Sequence, residues 1–118
     1  LKTEDGKYHV IDWKTCSWGW DARKKADKMV CYQLVLYKKF FAQKHNIELN
    51  DVETHFALLK RTAKKNQIEI FRITSGQKRI KNSLDMLGRS VYNIINKKYV
   101  KNRLSCVRCP YYKTKYCT

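Results

Sequence analysis

Asp5-Gly6-Lys7-Tyr8-His9-Val10-Ile11-Asp12-Trp13-Lys14-Thr15 is the stretch from which the fold is read. Asp-Gly is a favoured hairpin turn, because both positions tolerate positive φ. An antiparallel strand is therefore expected before residue 5. After the turn the chain reads as a strand over residues 7–14. Tyr8, Val10, Asp12 and Lys14 share one face, and His9, Ile11 and Trp13 share the other. Apolar side chains on both faces predict an interior strand.

Working outward, residues 15–20 form a loop and Asp21 caps a helix running to about His45. Its apolar stripe is Ala22, Ala26, Met29, Val30, Leu34, Tyr37, Phe40 and Phe41. Asn46 ends it. Residues 52–60 read as a second strand, 61–66 as a polar turn and 67–73 as a third strand. Ser75 is expected to cap a second helix over about 76–99, with Ile80, Leu84, Leu87, Val91, Ile94 and Ile95 on one side. The order β-α-β-β-α-tail predicts an α/β fold on a mixed sheet.

The chain has 118 residues, enough for one modest core. A hydrophobic content of 43% argues against disorder, and four Gly with one Pro exclude collagen-like or linker-dominated chains. No apolar run is long enough to cross a membrane. The start is no signal peptide, and the missing initiator Met points to a fragment.

Lys and Arg number 26 against 10 Asp and Glu, for a net charge of +16. Such an excess fits nucleic acid, whose phosphates it neutralises. A membrane surface is the rival, but the cations are spread along the whole chain and form no basic face opposite a wide apolar one. The blander reading is a soluble basic surface. Arg23, Lys24, Lys25 and Lys28 open the first helix, and Trp18 and Trp20 lie in the loop before it. They suit phosphate grip and base stacking respectively. A solvated helix end and a packed loop account for them equally.

Asp12 and Lys14 place an acid and an amine on one otherwise apolar strand face. Burying either is costly unless it is paired or put to use. A simple ion pair at the strand end explains the two alone. Gln33 and Tyr37, four apart on the first helix, add an amide and a phenol expected on its inner face, aimed back at the strand end.

The five cysteines divide into two kinds. Cys16 and Cys31 stand singly and read as packing residues. Cys106 and Cys109 form a CxxC, with Cys117 following, a clustering that suits a thiolate metal site with one ligand still to be supplied. Leftover thiols are the alternative. The odd count without a secretion signal argues against a disulfide framework.

The run from Asp5 to Thr15, followed by Gln33-Leu34-Val35-Leu36-Tyr37, resembles the RecB-like branch of the PD-(D/E)XK nuclease superfamily, with its (D/E)-x-K-T strand and Q-x-x-x-Y helix. The later strands, long helix and terminal cysteines follow that order, as in CRISPR-associated RecB-like exonucleases and the nuclease domains of AddB-type helicase–nucleases. The resemblance implies a restriction-endonuclease-like core over 1–100, whose N-terminal helix and first strands would precede Leu1, and a cysteine-rich tail over 101–118. It implies a cytoplasmic Mg²⁺- or Mn²⁺-dependent deoxyribonuclease acting on DNA, exonucleolytic, with a helicase or recombination protein as partner. Asp12 would hold the metal, aided by the Trp13 carbonyl. Lys14 would be the active-site lysine, and Gln33 and Tyr37 would position phosphate or water. Cys106, Cys109 and Cys117 would be three of four ligands to a [4Fe-4S] cluster, with Zn²⁺ the rival metal. The first metal-binding Asp and the early cluster Cys of that family have no counterpart here. A RecB-like module that binds DNA or protein without cleaving is the alternative reading.

Overall fold

The computed structural model describes residues 1–99 and 102–117. They fall into two compact units, Leu1–Leu87 and Gly88–Thr118. The first unit holds β1 (Tyr8–Cys16), α1 (Ala22–Lys25), α2 (Lys28–His45), a 3-10 turn (Leu49–Asp51), β2 (Val52–Lys60), β3 (Ile68–Ile73) and the first half of α3 (Gln77–Ile95). The second holds the remainder of α3 and a 3-10 turn over Arg103–Arg108. The boundary thus falls within α3, earlier than the tail expected from residue 101.

The sheet is mixed, in the order β1-β2-β3. β1 pairs with β2 in parallel from Tyr8↔Val52 to Cys16↔Lys60. β2 pairs with β3 antiparallel from Thr54↔Ile73 to Leu59↔Ile68. A parallel pair needs a long crossover, and α1 with α2 supplies it. The expected hairpin arm is present: Thr3 N donates to the Lys7 carbonyl at 2.9 Å and His9 N to the Leu1 carbonyl at 2.7 Å. Gly6 closes the turn at φ 81°, where a Cβ would be strained.

The core lies between the sheet and α2. Val52, Phe56, Leu58, Leu34 and Val35 are wholly buried, with Cys31, Ala42 and Ile73 close behind. Trp20 completes it, its ring 5.1 Å from Phe56 and 6.1 Å from Phe71. On the opposite face Ile11, Trp13, Ile68 and Ile70 are exposed. β1 is therefore covered on one face only, and the expectation of an interior strand is corrected. Its odd positions look away from the helices.

Four local expectations are also corrected. The first helix is two helices. Asp21 caps α1 by accepting from Lys24 N, but Asp27 then accepts from Met29 N and Val30 N and starts α2 afresh. The stripe is narrower than expected, because a flat sheet covers one sector of a helix; Met29, Tyr37 and Phe40 are exposed. Ser75 does not cap α3. Its buried Oγ makes no hydrogen bond, and the Gly76 carbonyl opens the helix by accepting from Arg79 N and Ile80 N. α3 stops at Ile95, short of 99, and Val91, Ile94 and Ile95 are exposed. Asn46 does end α2, in the left-handed conformation at φ 52°.

Candidate active site and basic surface

Asp12 and Lys14 lie on the helix-side face of β1, opposite Phe56 and Leu58 of β2. Both neighbours are wholly buried and apolar. Asp12 Oδ2 lies 3.0 Å from Lys14 Nζ. The carboxylate side chain is 16% exposed and the lysine 33%. Oδ2 itself is buried and accepts no hydrogen bond, so the contact is an ion pair out of hydrogen-bonding alignment. A buried carboxylate oxygen normally takes two or more hydrogen bonds. This one has spare capacity for a hard cation, and the donor is of the kind Mg²⁺ or Mn²⁺ accepts. The Trp13 indole points to the opposite face and is 54% exposed.

Gln33 Nε2 donates to Tyr37 Oη at 2.9 Å. The two are not on the inner face of α2, and that expectation is corrected. Cys31, Leu34, Val35 and Ala42 take the inner face, whereas Gln33 is half-buried and Tyr37 exposed. Phe41, one turn beyond Tyr37, meets the Tyr8 ring with centroids 5.9 Å apart. α2 runs back along the sheet, so Tyr37 and then Gln33 follow Phe41 in the direction in which Asp12 follows Tyr8. Among the described residues no hydrogen bond or ion pair joins the Asp12–Lys14 pair to the Gln33–Tyr37 pair.

The cationic end of the crossover is partly engaged. Lys25 Nζ pairs with Glu69 of β3 and stands over the Phe71 ring at 5.0 Å. Lys24 Nζ stands over the Trp20 ring at 4.8 Å. Trp20 is thus a core residue rather than a stacking platform, while Trp18 is 78% exposed. Arg23 and Lys28 are exposed. Lys28 also borders a hollow of about 230 Å³ shared with Ala26, Cys31, Tyr32, Lys78, Arg79 and Asn82. Lys78 and Arg79 were not legible as part of this surface; folding brings the start of α3 beside the start of α2.

All five cysteines are free thiols, Cys31 buried, Cys16 and Cys106 partly buried, Cys109 and Cys117 exposed. Cys31 is buried, its Sγ 3.3 Å from the Lys25 carbonyl, and burial pushes its thiol pKa up. Cys16 Sγ lies 3.8 Å from the Leu59 carbonyl. Cys106, Cys109 and Cys117 are free thiols, and among the described residues they do not converge on one point.

One group does converge. His9, Glu53 and His55 meet on the open face of the sheet, a constellation that no spacing in the sequence announced. His9 is the cross-strand partner of Glu53, and His55 follows two residues on, so only the β1–β2 register unites them. Burial, reinforced by the neighbouring His9, pushes the His55 imidazole pKa below its ordinary value.

No protein-family model, curated protein or solved structure matches the chain. No described helix is long and apolar enough to cross a membrane.

Proposed function

We propose that the chain carries the catalytic strand and helix of a metal-dependent DNA nuclease of the PD-(D/E)XK, RecB-like kind. The supporting observation is Asp12: a buried carboxylate oxygen without a hydrogen bond, 3.0 Å from the Lys14 ammonium, at the centre of β1 rather than at the strand end expected from the sequence. Retaining an under-satisfied carboxylate among Phe56 and Leu58 costs stability, which is expected where the group has chemistry to perform.

In this reading Asp12 Oδ2 would hold a divalent cation, with the Trp13 carbonyl as an adjacent oxygen donor. The bound cation would lower the pKa of the attacking water and offset charge on the phosphate. Lys14, released from Asp12, would place its ammonium against the phosphate oxygen on which charge grows. Tyr37, its hydroxyl held by Gln33, would orient a phosphate oxygen from the α2 flank. Exposed Trp18 and the cations Arg23, Lys24 and Lys28 would guide the nucleic acid toward Asp12 and Lys14.

The Asp12–Lys14 ion pair also favours a second reading, a module that binds DNA or a partner without cleaving, because a paired lysine is not available to a phosphate. Incubation of the full-length protein with labelled single- and double-stranded DNA separates the two. Nuclease function requires cleavage with Mg²⁺ or Mn²⁺, loss with chelator, and loss in Asp12→Asn and Lys14→Ala variants that still bind DNA. Binding without cleavage under any of these metals selects the module. Cleavage undiminished in both variants removes the assignment.

A further inference from the structure

We infer that His9, Glu53 and His55 form a second metal site, for a borderline divalent ion such as Zn²⁺, on the face of the sheet opposite Asp12. His9 Nδ1 and His55 Nε2 lie 3.1 Å apart. Glu53 Oε2 lies 4.0 Å from His9 Nδ1 and 3.8 Å from His55 Nε2. A tetrahedral ion with bonds of about 2.0–2.1 Å separates its ligand atoms by roughly 3.3–3.4 Å. The two nitrogens already stand close to that spacing. The carboxylate oxygen reaches it with a shift of about half an ångström, well within rotamer freedom.

The surroundings prepare the ligands. The Glu53 carboxylate is divided between two tasks: Oε1 forms ion pairs with Arg72 Nη1 at 3.2 Å and with Lys7 Nζ at 3.6 Å, which leaves Oε2 to the imidazoles. Such an outer contact fixes a ligand's orientation. It also places two cations near the ion, which lowers affinity without removing the donor set. The three side chains are 14–20% exposed, so their geometry is set by packing and water still reaches them. His9 and His55 border a hollow of about 230 Å³ with Leu1, Thr3, Ile11 and Ile70, which leaves room for a water or small ligand at a fourth position. Two imidazoles and a carboxylate with one open position are a donor set that zinc accepts.

The protons balance. With both rings neutral, one of the two facing nitrogens carries the proton of their hydrogen bond. Metal binding at both requires that proton to leave the shared edge, and the ring that held it takes the tautomer with N–H on its far nitrogen. No net proton is released.

The site is independent of Asp12 and is tested on the full chain with Cys106, Cys109 and Cys117 replaced by Ser, so that thiolates cannot compete. Co²⁺ is titrated and followed by its visible d–d absorption, and Zn²⁺ is titrated by calorimetry. One equivalent of each is expected, with tetrahedral bands and a raised thermal midpoint. His9→Ala and His55→Ala should each weaken binding at least about tenfold. Glu53→Gln, which keeps the shape and whose fold is checked by circular dichroism, should weaken it too. Asp12→Asn should leave it unchanged. Absence of binding, binding indifferent to both histidine variants, or binding lost with Asp12→Asn and retained in His55→Ala would each overturn the inference.

Discussion

The carboxylate of Asp12 and the ammonium of Lys14 neutralise each other at 3.0 Å across one strand pleat, yet the buried oxygen makes no hydrogen bond. The two ends of this contact are unequal. Asp12 is the more buried partner and is held between apolar neighbours, whereas Lys14 reaches solvent. Removing the cation strands the anion; removing the anion frees a lysine that hydrates easily. Lys14→Ala should therefore destabilise the fold by about 1–3 kcal/mol, while Asp12→Asn should be near neutral or stabilising. Denaturant unfolding of both variants checks the asymmetry, and equal losses would contradict it.

Asp27 accepts from two backbone amides at once and begins α2 independently of α1. Asp27→Ala should lower stability by about 1 kcal/mol. Asp21→Ala should cost less, because it caps a single turn that contains no buried residue. The comparison is a shift in urea midpoint at constant slope.

Glu69 receives Lys25 and Lys60 from outside β3. The hydrogen bond from Lys25, then the charges of both lysines, pull its carboxyl pKa below the ordinary value of 4.5. A carboxyl acidified by folding contributes stability above its unfolded pKa and loses it as pH falls through the folded one. Glu69→Gln should therefore flatten the decline of stability below about pH 4.5. The pair is near the surface, so the effect at neutral pH is about 0.2–1 kcal/mol. Unfolding measured between pH 3 and pH 7 checks it.

Burial sets thiol reactivity. Cys31, with its raised pKa, should resist alkylation at neutral pH until the protein unfolds. Cys109 and Cys117, both exposed, should react at once. Timed iodoacetamide labelling with mass spectrometry distinguishes them.

The architecture of the first unit was legible because its signals are local. Alternation over residues 7–14 assigned Asp12 and Lys14 to one face, Asp5-Gly6 marked the turn, and Asn46 marked the helix end. The break at Asp27 was not legible, since Asp21 and Asp27 are equally good caps and only tertiary packing decides whether Ala26 continues a helix. Trp20 illustrates the same limit: a loop tryptophan is either a platform or a core residue, and its contacts with Phe56 and Phe71 make it the latter. Gln33 and Tyr37 were placed a sector too far inward, because a broad apolar stripe does not say which part the sheet will cover. His9, Glu53 and His55 were invisible for a different reason. Residues on separate strands become neighbours through register, and register is a property of the folded pair.

β2 has a partner on each side and contributes Val52, Phe56, Ala57 and Leu58, all without solvent exposure. Its liaison with β3 closes through a short turn, whereas its liaison with β1 waits until the whole crossover has folded back. The β2–β3 arm should therefore form ahead of the β1–β2 pairing, whose contacts are farther apart in sequence. Amide protons along the middle of β2 should be the slowest to exchange with deuterium, releasing only in global unfolding, while those facing outward from β1 escape earlier.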